Sequence, residues 1–321
     1  MNRAHAPPFF EGWYYKLVDH EEEHPLAVMP CLCLTEDSRQ SHAFVQVYHG
    51  TSGQTTFCKY PLKEFRSTNH DFDVRIGPNQ FSAERILLDL ETEESCIRGD
   101  LTLRDLTPWP STWVSPGIMG WYSWVPFMQC YHGIVSLDHA IHGTIDLDGQ
   151  AICFDNGRGY TEKDWGRSFP EAWIWFQCNH FSQTGTSLTG SVAIIPWLRR
   201  PFAGFIIGLW HNGRLYRFAT YTGAKIKAID VKNEQIKLTV EDKHHRLEMH
   251  VIGAGGHSLR GPTSISMEGR VVETLGATIH VKLQELNHKA ECEIFRDIGH
   301  HAGMEAMGDT QRLMNLSTMK K

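Results

Sequence analysis

Short runs of alternating or continuous apolar residues, each closed off by Gly, Asn, Asp or Pro, recur along almost the whole chain, while the 3.6-residue period of an amphipathic helix is hard to find. "GWYYKLV", "LAVMPCLCL", "HAFVQVYHG" and "TFCKYPL" open the series, and "SLTGSVAII", "FAGFIIGLWHNG", "EQIKLTVEDK" and "TIHVKLQEL" continue it in the second half. The pattern predicts a mainly β chain. Asn-Gly in "HNGR" (211–214) and Asp-Gly in "DLDGQ" (146–150) suit type I′ turns, whose central residues both need positive φ, so neighbouring runs should pair as antiparallel hairpins. Meandering strands in this number bury a face only by closing or stacking, and an up-and-down barrel answers that need. Helix is expected only near the end, in "GMEAMGDTQRLMNL", and "GAGGH" at 253–257 reads as a hairpin turn.

The chain also repeats itself. "FPEAWIWFQCNHF" laid over "FFEGWYYKLVDHE" puts Phe169 on Phe9, Glu171 on Glu11, Trp173 on Trp13 and Trp175 on Tyr15, at an offset of 160 (169 − 9). A second echo sets "LWHNGRLYRF" over "VYHGTSGQTTF", with His211 on His49. The expected organisation is therefore an internal duplication: two tandem antiparallel β-barrels, residues 1–160 and 161–321, the second with a C-terminal tail. "GYTEKDWGRSFP" becomes the joint between them. Residues 107–130 have no counterpart, yet hold four of the ten tryptophans (109, 113, 121, 124) among prolines and glycines. A long apolar loop of that kind is usually functional, and it is expected to cover a cavity mouth or touch a membrane surface.

Composition narrows the function. Thirty-one Lys and Arg against 37 Asp and Glu leave a net charge of −6 with no long basic run, which argues against nucleic acid. With no apolar window of spanning length and no export-type h-region at the N-terminus, the expected location is cytoplasmic. The eight cysteines lack a repeated C-x-x-C and are read as small buried hydrophobes. The P-loop, dinucleotide, nucleophile-elbow and H-E-x-x-H motifs are absent, so neither a cofactor nor a metal is expected.

The most distinctive stretch is "GYTEKDWGRSFPEAWIWFQCNHF", 159–181. With "FFEGWYYK" at the start and "LRGPT" at 259–263, it resembles the tocopherol cyclase family through Tyr160, Glu162, Lys163, Trp165, Gly166, Phe169, Pro170, Trp173, Trp175, Gln177, Cys178 and Asn179. That resemblance implies two lipocalin-like barrels in tandem, a fold shared with carotenoid hydratases. It also implies a chemistry in which a prenyl double bond is protonated and a phenol oxygen captures the resulting tertiary cation. Such chemistry asks for an acid that can hold a proton, aromatic faces over the cation and a dry pocket.

The candidate proton donors are Glu162, Glu171 and His132, the last because an imidazole titrates near operating pH. Trp121, Trp124, Trp165, Trp175, Gln177 and Asn179 are the candidate ligand contacts; on a strand Trp173, Trp175, Gln177 and Asn179 share one face. Each choice has a plainer competitor. Trp13 and Trp173 are expected to be core plugs. Glu11 and Glu171, placed alike in the two echoes, suit a fold role such as a bond to an Arg. Glu162 could pair with Lys163, and Asp164 is read as facing away from Glu162. Three functions follow: a cofactor-independent cyclase or isomerase of a lipophilic small molecule, a hydratase of a terpenoid polyene, or a non-catalytic carrier. Oligomeric state stays open.

Overall fold

A computed structural model describes residues 6–68, 71–126, 128–197, 200–261, 269–286 and 291–318. It is mainly β, and the chain divides into two compact units. The first comprises residues 1–109, 130–169 and 259–270; the second comprises 110–129, 170–258 and 271–321.

The first sheet is built from β1 (Phe9–Val18), β2 (Leu26–Leu34), β3 (His42–His49), β4 (Thr55–Pro61), β5 (Phe65–Ser67), β6 (Asp73–Ile76), β7 (Asn79–Ser82), β8 (Arg85–Glu91), β9 (Cys96–Arg104), β10 (Cys130–Leu147), β11 (Gln150–Cys153) and β12 (Gly157–Gly166). Its order is β4-β3-β2-β1-β12-β10-β9-β8-β7-β6-β5, with β11 beside β10. Alternation along β1 turns Trp13, Tyr15 and Leu17 to a core that also takes Leu26, Val28, Val45, Val47 and Ile141. Val74 and Ile76 of β6 and Cys58 of β4 enter the same core, so the two ends of the strand path curl towards each other. The Tyr15 hydroxyl donates to the Ser82 carbonyl at 2.8 Å, and the Asn79 amide donates to the Tyr60 hydroxyl at 3.1 Å, tying β1 to β7 and β7 to β4.

The second sheet contains β13 (Trp173–Cys178), β14 (Ser187–Ile195), β15 (Phe202–His211), β16 (Arg214–Ala219), β17 (Lys225–Lys232), β18 (Gln235–Glu241), β19 (His245–Ile252), β20 (His257–Gly261), β21 (Gly269–Leu286) and β22 (Glu291–Met307). Its path is β16-β15-β14-β13-β22-β21-β19-β18-β17. Ile174, Phe176 and Cys178 enter the core from β13, and Leu313 enters it from α1 (Thr310–Thr318). Both expected I′ turns form, with φ of 55° and 86° at Asp148 and Gly149 and 51° and 73° at Asn212 and Gly213.

Several expectations are corrected. The boundary at 160 falls inside β12, which lies between β1 and β10, so "GYTEKDWG" is an interior strand of the first sheet and not a joint. The stretch "GMEAM" belongs to β22, and helix starts only at Thr310. "GAGGH" does not close a hairpin, because β19 pairs with β18 and β21.

Each sheet sets a four-strand meander beside a late returning strand, β12 in one and β22 in the other. The paired tryptophans, however, face different ways. Trp13 points into its core and stacks on Phe72 at 5.2 Å, whereas Trp173 points away from the face that Ile174 buries. Core positions 13, 15 and 17 correspond to 174, 176 and 178, an offset of 161 (174 − 13). A slip of one residue exchanges the two faces of a strand, so the echo at 160 matches residue types but not directions. The end of "LRGPT", residues 262–263, lies outside the described residues.

Candidate functional site

On β12, Thr161, Lys163 and Trp165 take the side of β1 that carries Trp13 and Tyr15, while Tyr160, Glu162 and Asp164 take the opposite side, facing away from the apolar core. The core-side group is held by an ion pair and stacked rings. Lys163 Nζ lies 2.5 Å from Glu11 Oε1, 4.8 Å from the Trp13 ring centre and 5.2 Å from that of Trp165, and Trp165 stacks on Tyr131. Lys163 thus pairs with Glu11 rather than Glu162, and Trp165 does not share a face with Glu162.

The other side carries the chemistry. Asp164 is opposite Gly12 on β1 and His132 on β10, and Glu162 is opposite Tyr14 and Ile134. His132 Nδ1 lies 2.9 Å from Asp164 Oδ1, and its Nε2 lies 3.7 Å from Glu162 Oε2. The Tyr160 hydroxyl donates to Glu162 Oε2. Glu162 is 4% exposed and Tyr160 is fully buried. One imidazole therefore lies between two carboxylates, each ring nitrogen turned to one of them. Asp164 and Glu162 face the same way, contrary to the sequence reading, because residues two apart on a strand share a face. Gly12, opposite Asp164 and without a side chain, leaves its place on that face to Cys31, whose Sγ would lie 3.2 Å from a methyl added there.

Two thiols border the cluster. Burial pushes Cys130 well above its usual range, with Asp164 and Glu162 adding to the effect. Burial does the same to Cys31, helped by Cys33, Glu11 and Asp164. Both stay protonated and uncharged near neutrality. Phe10, Cys33, Phe44 and Phe169 continue this wall as a small apolar cluster.

The ligand atoms of His132, Glu162 and Asp164 lie within 4.8 Å of one another, the group among the described residues with spacing that could hold a metal ion. The imidazole argues for another use. A metal would draw one ring nitrogen and both carboxylates to a single point, whereas here the nitrogens diverge, one to each acid.

The other predicted residues lie in the second unit. Glu171 is exposed and bonded to Arg312, the fold role weighed for it, and it is not near another candidate donor of its unit. Trp121 and Trp124 sit on a 3₁₀ turn, Gly120–Trp124, 45% and 63% exposed. Trp175, Gln177 and Asn179 are buried on the face of β13 that points away from its core. Gln177 Nε2 donates to Asn179 Oδ1 at 3.5 Å, while Gln177 Oε1 is buried with no hydrogen-bond partner. On the same face the Trp173 indole donates to Glu305 at 2.6 Å, and Glu305 is opposite the buried Glu273.

Sequence reasoning named Glu162 and His132 but missed Asp164 and Tyr160 as their partners. Spacing of 160, 162 and 164 on one strand was the available signal. Glu273 and Glu305 carried none, since strand register alone brings them together.

A profile of the tocopherol cyclase-like family matches residues 79–308. A probable chloroplastic tocopherol cyclase of Oryza sativa subsp. japonica is 32% identical over 151 residues, covering 45% of this chain and 32% of that protein. The chloroplastic tocopherol cyclase of Zea mays is 32% identical over 151 residues, covering 45% of this chain and 31% of its own length. The chain thus spans about a third of these curated relatives. Among solved structures, CghA superposes with a TM-score of 0.57 at 10% identity, over 94% of this chain and 89% of that one. Kievitone hydratase from Nectria haematococca gives 0.53 at 11% identity, over 93% and 89%. A putative AttH from Nitrosomonas europaea gives 0.52 at 14%, over 95% and 94%. At such identities these three share the fold: two lipocalin-like antiparallel barrels. Among the described residues no helix is long and apolar enough to cross a membrane.

Proposed function

From the premise that this chain belongs to the tocopherol cyclase-like family, we propose that it is an enzyme needing no cofactor that protonates a carbon–carbon double bond of a lipophilic small molecule. The observation that carries the proposal is the half-buried His132 between Asp164 and the buried Glu162, with the Tyr160 hydroxyl on Glu162. The imidazole faces a carboxyl group with each ring nitrogen, so a proton given up at Glu162 has a short route by which to be replaced.

In the proposed step Glu162 gives its proton to the less substituted alkene carbon. The π electrons form the new C–H bond and leave a tertiary cation, which the carboxylates stabilise electrostatically in a site of low dielectric. The ligand's phenol oxygen then bonds to the cationic carbon and loses its proton to the cluster. No proton is consumed, and the product is an isomer. At 3.7 Å, His132 Nε2 and Glu162 Oε2 are too far apart for a direct hydrogen bond. An oxygen seated beside the pair and hydrogen-bonded to both, either the substrate's hydroxyl or a water, completes the relay. Hydration is the second reading, with a water in that bridging place attacking the cation and returning a proton in the same way.

The test is turnover of a phytylated hydroquinone by Glu162→Gln and His132→Asn. Glu162→Gln keeps shape but cannot deliver a proton, so turnover should fall by about 10²–10⁴-fold with binding retained. His132→Asn should fall comparably and lose the limb of the pH profile that reports the shared proton. Losses below about tenfold in both variants overturn the assignment. Binding by the wild type without conversion of any polyene or prenylated phenol would leave a carrier.

A further inference from the structure

A tight hairpin tip in the second unit points outward beside a basic cleft. Thr112 and Ser115 exchange backbone hydrogen bonds at 3.1 Å in each direction, so the two residues between them are held out on a two-residue turn. Those residues are Trp113 and Val114, 91% and 79% exposed. The stem of the hairpin, Thr112 and Ser115, lines a cleft of about 480 Å³ together with Arg214, Arg217, Thr222 and His245.

The chemistry of this cleft suits a phosphate. Arg214 lies over the Tyr216 ring at 4.6 Å, and Arg217 donates to Ser115 Oγ at 3.2 Å while lying 5.6 Å from the Tyr221 ring centre. Both guanidinium groups are thus positioned by aromatic faces, with donors left over for an anion, and their fork geometry fits phosphate oxygens. Asp242, the acid at the cleft, is engaged locally: it accepts from the backbone N–H groups of His244 and His245 at 2.7 Å each and lies 3.5 Å from His245 Nδ1.

The hairpin is anchored to the sheet behind it. The Tyr221 hydroxyl donates to the Ile118 carbonyl at 2.6 Å, and Tyr122 packs edge-on against Tyr221 and Trp197. The exposed Trp121 and Trp124 belong to this same anchored segment. A soluble surface gains nothing from so many uncovered tryptophans, whereas a membrane interface does, because the indole is most stable at headgroup depth.

We propose that this edge of the second unit docks on anionic bilayers, with Trp113 and Val114 entering the interface and the Arg214–Arg217 cleft taking a lipid phosphate. The inference does not depend on the protonation chemistry proposed above, and its test does not use turnover. The full chain is floated with vesicles of phosphatidylcholine alone and of phosphatidylcholine with phosphatidylglycerol, with tryptophan emission as the second readout.

Wild type should bind the anionic vesicles with a blue shift, more weakly as salt rises. Trp113→Ser with Val114→Ser should abolish the shift. Arg214→Gln with Arg217→Gln should weaken binding by about 30-fold, from about one kcal/mol per basic residue at the surface. Unchanged melting temperatures would show that both variants fold, and Arg214→Gln alone, which leaves the Ser115 bond intact, should give about a fivefold loss. Equal binding to neutral vesicles, no binding to either, or arginine variants that bind like wild type would overturn the proposal. So would saturation of the cleft by glycerol phosphate in a chain with no affinity for vesicles, which would make it a small-anion site.

Discussion

His139 is fully buried at a bulge of β10, and neither ring nitrogen finds a hydrogen bond. Burial holds it down to about 3, so it is neutral in the folded chain at pH 7. The unfolded chain takes up a proton there below about pH 6.5, which the folded chain does not. The stability this group contributes is therefore full above about 6.5 and is lost towards 3, at about 1.4 kcal/mol for each pH unit. Thermal melts of His139→Leu should accordingly fall less steeply than wild type as pH drops through that window, and equal slopes would remove the argument. Gly159, opposite His139, belongs to the same constraint. A methyl added there would run into His139 Nε2, with the Lys16 carbonyl at 3.0 Å behind it, so Gly159→Ala should lower stability by about 1–3 kcal/mol in denaturant titration. Neither effect was legible in the sequence, because burial of a lone histidine at a bulge is set by strand register. Glu162 and His132 were legible because carboxyls among tryptophans and an imidazole beside an aromatic loop are chemically conspicuous.

Strand existence was easier to read than strand direction. Alternating runs predicted most of β1–β4 and β14–β19, since period-two burial is written in the residue types themselves. The face of a strand, by contrast, depends on register, and the echo at 160 misled because tryptophan recurs on both faces. β13 shows the cost of that ambiguity and also its use. Its outward face buries Gln177 with a carbonyl oxygen unpartnered, a group that a ligand hydroxyl would satisfy. Gln177→Leu is therefore expected to raise KM for a hydroxylated ligand with little change in kcat; an unchanged KM would assign the amide to folding. The 3₁₀ turn makes the opposite case. Trp124→Ser should leave the melting temperature within a degree or two, since that indole is largely in solvent, and Trp121→Ser should add only the loss of its stacking on Tyr122, while the pair reduces uptake of a lipophilic ligand from vesicles. A large loss of stability would place them in the core.

At the scale of the molecule, each unit is completed by a segment from the other half of the sequence. Residues 110–129 belong to the second unit, where Arg217 and Tyr221 bond to Ser115 and Ile118. Residues 259–270 belong to the first, where the Arg260 N–H donates to Gln46 Oε1 at 3.2 Å and its guanidinium lies 4.1 Å from the Phe57 ring centre. A division at 160 could not have anticipated this, because contiguous echoes carry no sign of an exchanged loop. A fragment ending at residue 169 should thus melt lower and more broadly than the same fragment supplied with a peptide of residues 257–270. Identical melts would mean the segment is dispensable.

For a chain made from its N-terminus, that exchange sets a timetable. When residue 169 leaves the ribosome every strand of the first sheet is present, yet the piece that covers Phe57 and Gln46 is still about 90 residues from emerging (259 − 169). At about 5–20 residues per second the wait is roughly 5–20 s. Slowing translation between the two points should lengthen the exposure of that surface to chaperones and proteases, and synonymous codons there would act on folding yield without altering a residue.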